Sequence, residues 1–210
     1  MDKAEIFKLF EGKSVLQLGV LGDYKSYVEG GIGDWEFARI TKASRKAVGV
    51  DINREGVNVI RGKGFENVIY GNAEELDLGE TFDVIYAGDI IEHLDNVGGF
   101  LESCKRHMHG ESVLVITTPN PYSIDMILKA FTGVDGKIYG EHTALFHRKN
   151  IGELLRRHGL ELRKTGFYTQ VYGKSFLTKV KSRIILLLSA LKPDWNQSYC
   201  FEVVLAGKDN

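Results

Sequence analysis

A doubly wound α/β fold around a mostly parallel sheet is what this sequence predicts, and three observations predict it. Short apolar runs of strand length alternate with helix-length segments through the first 118 residues, the rhythm of βαβ units with right-handed crossovers. The first run, Val15, Leu16 and Leu18, stops at Gly19 with Gly22 three residues on, as a buried parallel strand does when it opens into a tight loop. The next run, Ala47 to Val50, closes on Asp51, roughly thirty residues later and within the span of one βαβ unit.

In chain order, Ile6, Leu9 and Phe10 share a helical face ahead of Gly12, a short helix with a glycine stop. After the strand at 15–18, the stretch 23–34 is broken by Gly30, Gly31 and Gly33 and reads as a loop over the ligand crevice, followed by a helix over 35–43. Alternation then becomes regular: strand 47–51, helix 54–63, strand 67–70, loop 71–81, strand 82–86, helix 96–108, strand 112–118. A helix near 122–131 leads into the turn-rich GVDGKIYGEHT. Ile151, Leu154 and Leu155 lie opposite Glu153, Arg156 and Arg157 in an amphipathic helix over 149–158 that Gly159 ends. A strand over 160–169, a basic helix over 174–192 and a late strand in SYCFEVVLA complete the chain.

With 210 residues, 43% of them hydrophobic, the chain can bury a full core and is read as one domain over 1–210. A formal charge of -1 excludes a global attraction to nucleic acid or membrane. Cys104 and Cys200 are far apart and neither belongs to a CxxC, so no disulfide framework or thiolate zinc site is expected and a reducing, cytoplasmic setting fits. MDKAEIFKLFEGK is too charged for a signal peptide, and no run approaches eighteen apolar residues.

Four stretches fall at strand ends that share one crevice: Gly19 to Asp23, Asp51 with Ile52, GNAEEL at 71–76, and Ala87-Gly88-Asp89 running into Ile91-Glu92-His93-Leu94. Glycine admits a ligand close to backbone, and a carboxylate at the end of the second strand accepts hydrogen bonds from ribose hydroxyls. In GNAEEL a polar side chain beside a backbone N–H suits an adenine edge, while an ordinary Asx turn at Asn72 explains it as well. Ala87 and Gly88 let backbone carbonyls approach an ammonium group. Glu92 and His93 read equally as the first turn of a helix or as groups of the site.

On VLQLGVLGDY, VGVDI, GNAEEL, FDVIYAGDIIEHL, SVLVITTPNP and EHTALFHRKNIGELLRRHGLEL, the chain resembles the class I S-adenosylmethionine-dependent methyltransferases of the small, single-domain type. The resemblance implies a Rossmann-like sheet of seven strands with the last antiparallel, and S-adenosyl-L-methionine as cofactor. It implies that Asp51 holds the ribose hydroxyls, that Ile52 packs on adenine, and that Asn72 and Ala73 read the adenine edge. Gly19 then faces the methionine portion, Gln17 accepts from its ammonium, and Gly88 and Asp89 line the donor-methyl side. His142, in EHT, falls where the family places acceptor-facing residues, and a hydroxyl acceptor makes it the general base. Gln17 stands where an acid is usual, and Leu21 and Asp23 where glycines are usual. A donor-binding protein without turnover is the alternative these positions keep open.

Other chemistries find less support. An NAD(P) oxidoreductase of the short-chain type shares the sheet and Asp51, but no tyrosine here is followed four residues later by lysine. No GxxxxGK[ST] is present. His107 with His109, and His142 with His147, can be drawn as metal pairs, yet for the first pair, two residues apart on a helix, the rings diverge. These histidines are read as exposed and no metal site is assigned. Tyr168, Tyr172 and Phe176 around Lys174 are too little for a nucleic-acid face.

The acceptor is read as a small molecule or a glycan- or lipid-type compound, methylated at oxygen, with 122–147 and 174–192 as acceptor-side additions. From Arg163 through Lys192 seven lysines and arginines occur and no acid. Phe176, Val180, Ile184, Leu187, Leu188 and Leu191 form one stripe of the last helix, and Ile185 and Leu186 widen it. That surface suits a crossover over the sheet, and beyond it a lipidic acceptor, peripheral membrane contact or a second copy of the chain as a homodimer.

Overall fold

The computed structural model describes residues 1–132, 141–169 and 176–207. Seven strands form one sheet: β1 (Ser14–Leu18), β2 (Lys46–Asp51), β3 (Val68–Tyr70), β4 (Phe82–Gly88), β5 (Met108–Pro119), β6 (Leu160–Tyr168) and β7 (Ser198–Leu205). Their order is β3-β2-β1-β4-β5-β7-β6. β1 to β5 pair in parallel, and β7 runs antiparallel to both β5 and β6. The predicted parallel sheet and antiparallel last strand are present.

Alternate residues of each strand feed two cores. Leu16 and Leu18 of β1 join Ile85, Ala87, Leu114, Ile116, Phe201 and Val203 on one face. That face is covered by α5 (Val97–Arg106) through Phe100 and Leu101 and by α7 (Arg148–Arg157) through Ile151 and Leu155. Val15 joins Val84, Tyr86 and Val115 on the other face. There α1 (Lys3–Leu9), α3 (Glu36–Ala43) and α4 (Arg54–Arg61) supply Ile6, Phe37, Ile40, Val57 and Ile60. Each such side chain, fully buried, contributes roughly 1.5–3 kcal/mol. Helices on both faces make the sheet doubly wound.

Three local readings change. The stretch 23–34 is not a loop: α2 (Tyr24–Gly30) and a 3-10 turn over Ile32–Asp34 occupy it. Tyr24, Tyr27 and Val28 provide an apolar i, i+3, i+4 face that packs with the second core, and the glycines end that helix rather than prevent it. β5 begins at Met108, so His109 lies on a strand while His107 is the C-terminal cap of α5. His107 is buried, its Nδ1 on the Ser103 carbonyl (2.7 Å) and its Nε2 accepting from Leu78 N–H (2.9 Å); it is a core histidine, not an exposed one. In the last helix, α8 (Phe176–Leu191), Ile185 and Ser189 are the buried positions among the described side chains, while Leu187 and Leu191 are exposed. Over those positions the inward side is offset from the stripe expected, and α8 packs with α6 (Ile124–Thr132). Lys174 lies outside the described residues, and Tyr168 is buried, which removes it from any stacking surface.

Candidate active site

The strand order reverses between β1 and β4, and in an open α/β sheet that switch point opens a crevice at the carboxyl ends of the strands. Gly19 leaves β1 with φ +70°, a backbone conformation that favours glycine. Its N–H donates to the Val50 carbonyl (2.9 Å) and draws the turn across the end of β2. Asp51 then fastens it: Oδ2 accepts from Leu21 N–H and Oδ1 from Asn53 N–H, each at 2.9 Å. Trp35 adds a third tie, its indole N–H on the Val20 carbonyl at 2.9 Å. The side chain of Leu21 is buried against α4, where a Cβ added to Gly56 would lie 2.6 Å from Leu21 Cδ1. A leucine in this loop is matched by a glycine in the helix below it.

The predicted donor-side residues gather along this edge. Ile52, directly after β2, is 64% exposed, an apolar surface left open beside the Asp51 carboxylate. Asn72 closes an Asx turn, its Oδ1 accepting from Glu74 N–H at 3.0 Å, and Ala73 is buried in the core beneath. Glu74 Oε1 in turn accepts from Asp95 and Asn96 N–H at 2.8 and 2.9 Å, joining the loop after β3 to the loop after β4. Gln17 on β1 is 3% exposed, and its Oε1 is buried without a hydrogen-bond partner. Such an acceptor costs free energy until a donor meets it.

At the end of β4, Gly88 packs so closely that a Cβ there would lie 2.7 Å from Tyr86 Oη. Asp89 follows at φ +50°, the one non-glycine residue with positive φ among those described. β5 holds it there: Asp89 N–H donates to Thr117 O (3.1 Å) and Oγ1 (3.0 Å), and Thr117 Oγ1 donates to Asp89 Oδ1 at 2.9 Å. Asp89 is open to solvent at the crevice mouth, yet protein atoms crowd it, and that desolvation raises its carboxyl above the ordinary range.

A 3-10 turn over Ile91–His93 carries the next groups. Glu92 is 1% exposed; Oε2 accepts from Thr118 Oγ1 at 3.0 Å, and Oε1 is buried without a partner. Burial pushes its carboxyl up to about 7. The segment after the fifth strand is laced to this turn: Thr143 N–H donates to the Glu92 carbonyl (2.8 Å), and Thr143 Oγ1 contacts the Glu92 and Leu94 carbonyls at 3.1 and 2.9 Å. His93 Nδ1 donates to the Glu141 carbonyl at 3.2 Å. His93 and His142 consequently meet edge to face, ring centroids 4.7 Å apart. Desolvation first, then His93, lowers the pKa of His142, which favours the uncharged imidazole.

A family model described as a methyltransferase domain matches residues 10–165, which is most of the chain and all five parallel strands of the crevice. This chain belongs to the class I S-adenosylmethionine-dependent methyltransferases. A structure of such a methyltransferase from Archaeoglobus fulgidus superposes with TM-score 0.60 at 21% identity, covering 96% of this chain and 90% of that one. The magnesium protoporphyrin IX methyltransferase of Synechocystis, solved with bound SAH, gives 0.61 at 14% identity over 97% and 81%. Among curated proteins, a ubiquinone biosynthesis O-methyltransferase of Rhodopseudomonas palustris is 29% identical over 38% of this chain and 34% of its own length. A probable S-adenosylmethionine-dependent methyltransferase of Mycolicibacterium smegmatis is 26% identical over 67% and 54%. The chain thus spans less than two thirds of the length of either curated relative.

The residues present fit the donor on the structure's own terms. The orphaned Gln17 Oε1 suits an ammonium, the Asp51 carboxylate has acceptor capacity beyond its two backbone bonds, and Ile52 offers apolar surface beside it. The meeting of Glu92 and His93 with His142 is what sequence reasoning missed. EHL and EHT stand far apart in the chain, and the one signal that joins them is the repeated acid–histidine pair at two acceptor-side positions.

Proposed function

We propose that this methyltransferase methylates a hydroxyl oxygen of a small-molecule, glycan or lipid-type acceptor. The observation that carries the reading is the His142 ring packed edge to face on His93, in one cluster with Glu92 and beside Asp89, the residue read as lining the donor-methyl side. A hydroxyl must lose its proton as it attacks, and a group able to take one at neutral pH belongs at that position. Bound S-adenosylmethionine supplies the electrophilic methyl. The protein's share is alignment: Asp51 holds the ribose, Ile52 covers the adenine, Asn72 and Ala73 border its edge, Gln17 and Gly19 face the amino-acid end, and Gly88 with Asp89 fix the methyl side. His142 then serves as the acceptor's base.

Two further observations support the acceptor class. The Rhodopseudomonas relative bears the name of an O-methyltransferase, and Leu128, Phe131, Leu187 and Leu191 of α6 and α8 expose apolar surface suited to an apolar acceptor, a membrane surface or a second copy. Among the described residues no helix is long and apolar enough to cross a membrane. Methyl-labelled donor offered with matched phenol, carboxylate and amine acceptors tests the reading. Label appearing as methyl ether supports it, and label confined to nitrogen or carboxylate refutes it. His142→Ala should lower turnover by roughly 10²–10⁴ with donor affinity unchanged.

A further inference from the structure

We propose that Glu92, His93 and His142 bind one divalent transition-metal cation such as Zn²⁺. Among the described residues these three each present a ligand atom, all within 4.8 Å of one another. Around a four-coordinate ion with bonds of about 2.0–2.2 Å, ligand atoms stand roughly 3.4 Å apart, so the set closes by about an ångström of side-chain movement. Two imidazoles and one carboxylate are a donor set for Zn²⁺, Fe²⁺ or Mn²⁺ and leave positions open.

Two independent features point to a cation rather than to a chance cluster. Glu92 is buried, and its Oε1 has no hydrogen-bond partner, a costly state for a buried carboxyl oxygen that a bound cation would relieve. The supporting shell is also built: Thr118 Oγ1 holds Glu92 Oε2 at 3.0 Å, and His93 Nδ1–H on the Glu141 carbonyl at 3.2 Å fixes the tautomer in which Nε2 carries the lone pair. Carbonyl-bound ligand histidines and hydrogen-bonded ligand carboxylates are the usual outer partners of a metal. The Thr143 bonds to Glu92 and Leu94 hold the two segments together without the ion, so the site is assembled beforehand.

The ion's role rests on the hydroxyl-acceptor reading; its binding does not. An acceptor oxygen coordinated beside the donor methyl loses its O–H proton to solvent more readily and keeps the electron pair, which forms the new bond to the methyl carbon as the donor's carbon–sulfur bond breaks, its electron pair staying on sulfur to leave S-adenosylhomocysteine. His142 is then a ligand and not the acceptor's base. The two roles make opposite predictions for a chelated enzyme.

Protein treated with EDTA and dialysed is titrated with Co²⁺, followed by its visible absorption, and with Zn²⁺ by calorimetry. One ion per chain with micromolar or tighter affinity is expected, on the order of -8 kcal/mol. Glu92→Gln and His142→Ala should each weaken it by about tenfold or more, and the surface variant His109→Ala should not. Far-UV circular dichroism and SAH affinity report folding, and His93→Asn substitutes if Glu92→Gln does not fold. Absence of saturable binding, or wild-type affinity in both ligand variants, overturns the proposal. Label transfer to a phenolic probe separates the two readings. Transfer abolished by EDTA and restored by Zn²⁺ supports the ion, whereas transfer that persists in EDTA but fails in His142→Ala overturns the ion's role in turnover and leaves hydroxyl methylation standing.

Discussion

Asp51 is asked to do two things at once, and replacing it separates them. Its oxygens accept from Leu21 and Asn53 N–H at 2.9 Å each, so Asp51→Ala unties the glycine turn from β2 as well as removing the proposed ribose acceptor. Hydrogen bonds to a charged group contribute roughly 1.5–3 kcal/mol each. Loss of one such bond to the nucleoside corresponds to about a 12- to 150-fold weaker complex. The carboxylate is half-buried, and a looser turn costs the folded state about 1–2 kcal/mol. Asp51→Asn is the informative companion: its amide retains one acceptor for a backbone N–H but turns a donor toward the other. It should recover part of the stability while leaving SAH binding weak. Calorimetry with SAH and with NADH, beside urea denaturation of all three proteins, gives both numbers. SAH affinity unchanged in Asp51→Ala, or NADH bound more tightly than SAH by the wild type, would refute the ribose assignment.

Other perturbations reach different parts of the frame. Asp83 accepts from Ser14 N–H and Oγ at 2.7 and 2.8 Å, and these bonds, helped by Arg45, hold its carboxyl at about 2. A folded pKa below the unfolded one gives stability that is present above about pH 4 and lost as the pH falls toward 2. Discounted for its 26% exposure, the effect is about 1 kcal/mol, and Asp83→Asn should flatten the fall in urea midpoint over that range. Gly88→Ala places a Cβ 2.7 Å from Tyr86 Oη and 2.8 Å from Cζ in a filled core, which should cost about 1–3 kcal/mol in denaturation without any backbone strain at that residue. Trp35→Phe leaves the Val20 carbonyl without its indole donor; a loss of about 1–3 kcal/mol with weaker SAH binding is expected, and unchanged affinity would show the turn holds without that tie.

What was legible in the sequence is what depends on local period. The runs ending at Gly19, Asp51 and Gly88 announce parallel strands because strands covered on both faces read as apolar blocks, and their ends define the crevice. α2 was hidden because Gly30, Gly31 and Gly33 draw attention from the Tyr24, Tyr27 and Val28 face that makes the helix. The burial of His107 depends on Leu78, a contact no spacing encodes. The same holds for the His93–His142 pair, which exists because Thr143 is tied to the Glu92 carbonyl. For α8, a sixteen-residue helix with apolar residues on several sides gives no single face to read.

The place of β7 has a consequence for the order in which the chain acquires its form. β6 pairs with β7 and β7 with β5, so during synthesis β6 emerges with no strand to join until the residues from Ser198 onward have been made. β1 to β5 and their helices can consolidate first, as N-terminal segments do, giving a half-sheet that carries the Asp51 side of the crevice with β5 as its open edge. Closing that edge means bringing in a strand from far along the chain, a slow step because of its long loop. Until then β5 presents unpaired backbone in a hydrophobic strand, the kind of edge that recruits other chains. Solubility during expression should therefore respond more sharply to changes within 198–205 than to equal changes in β3 at the opposite edge.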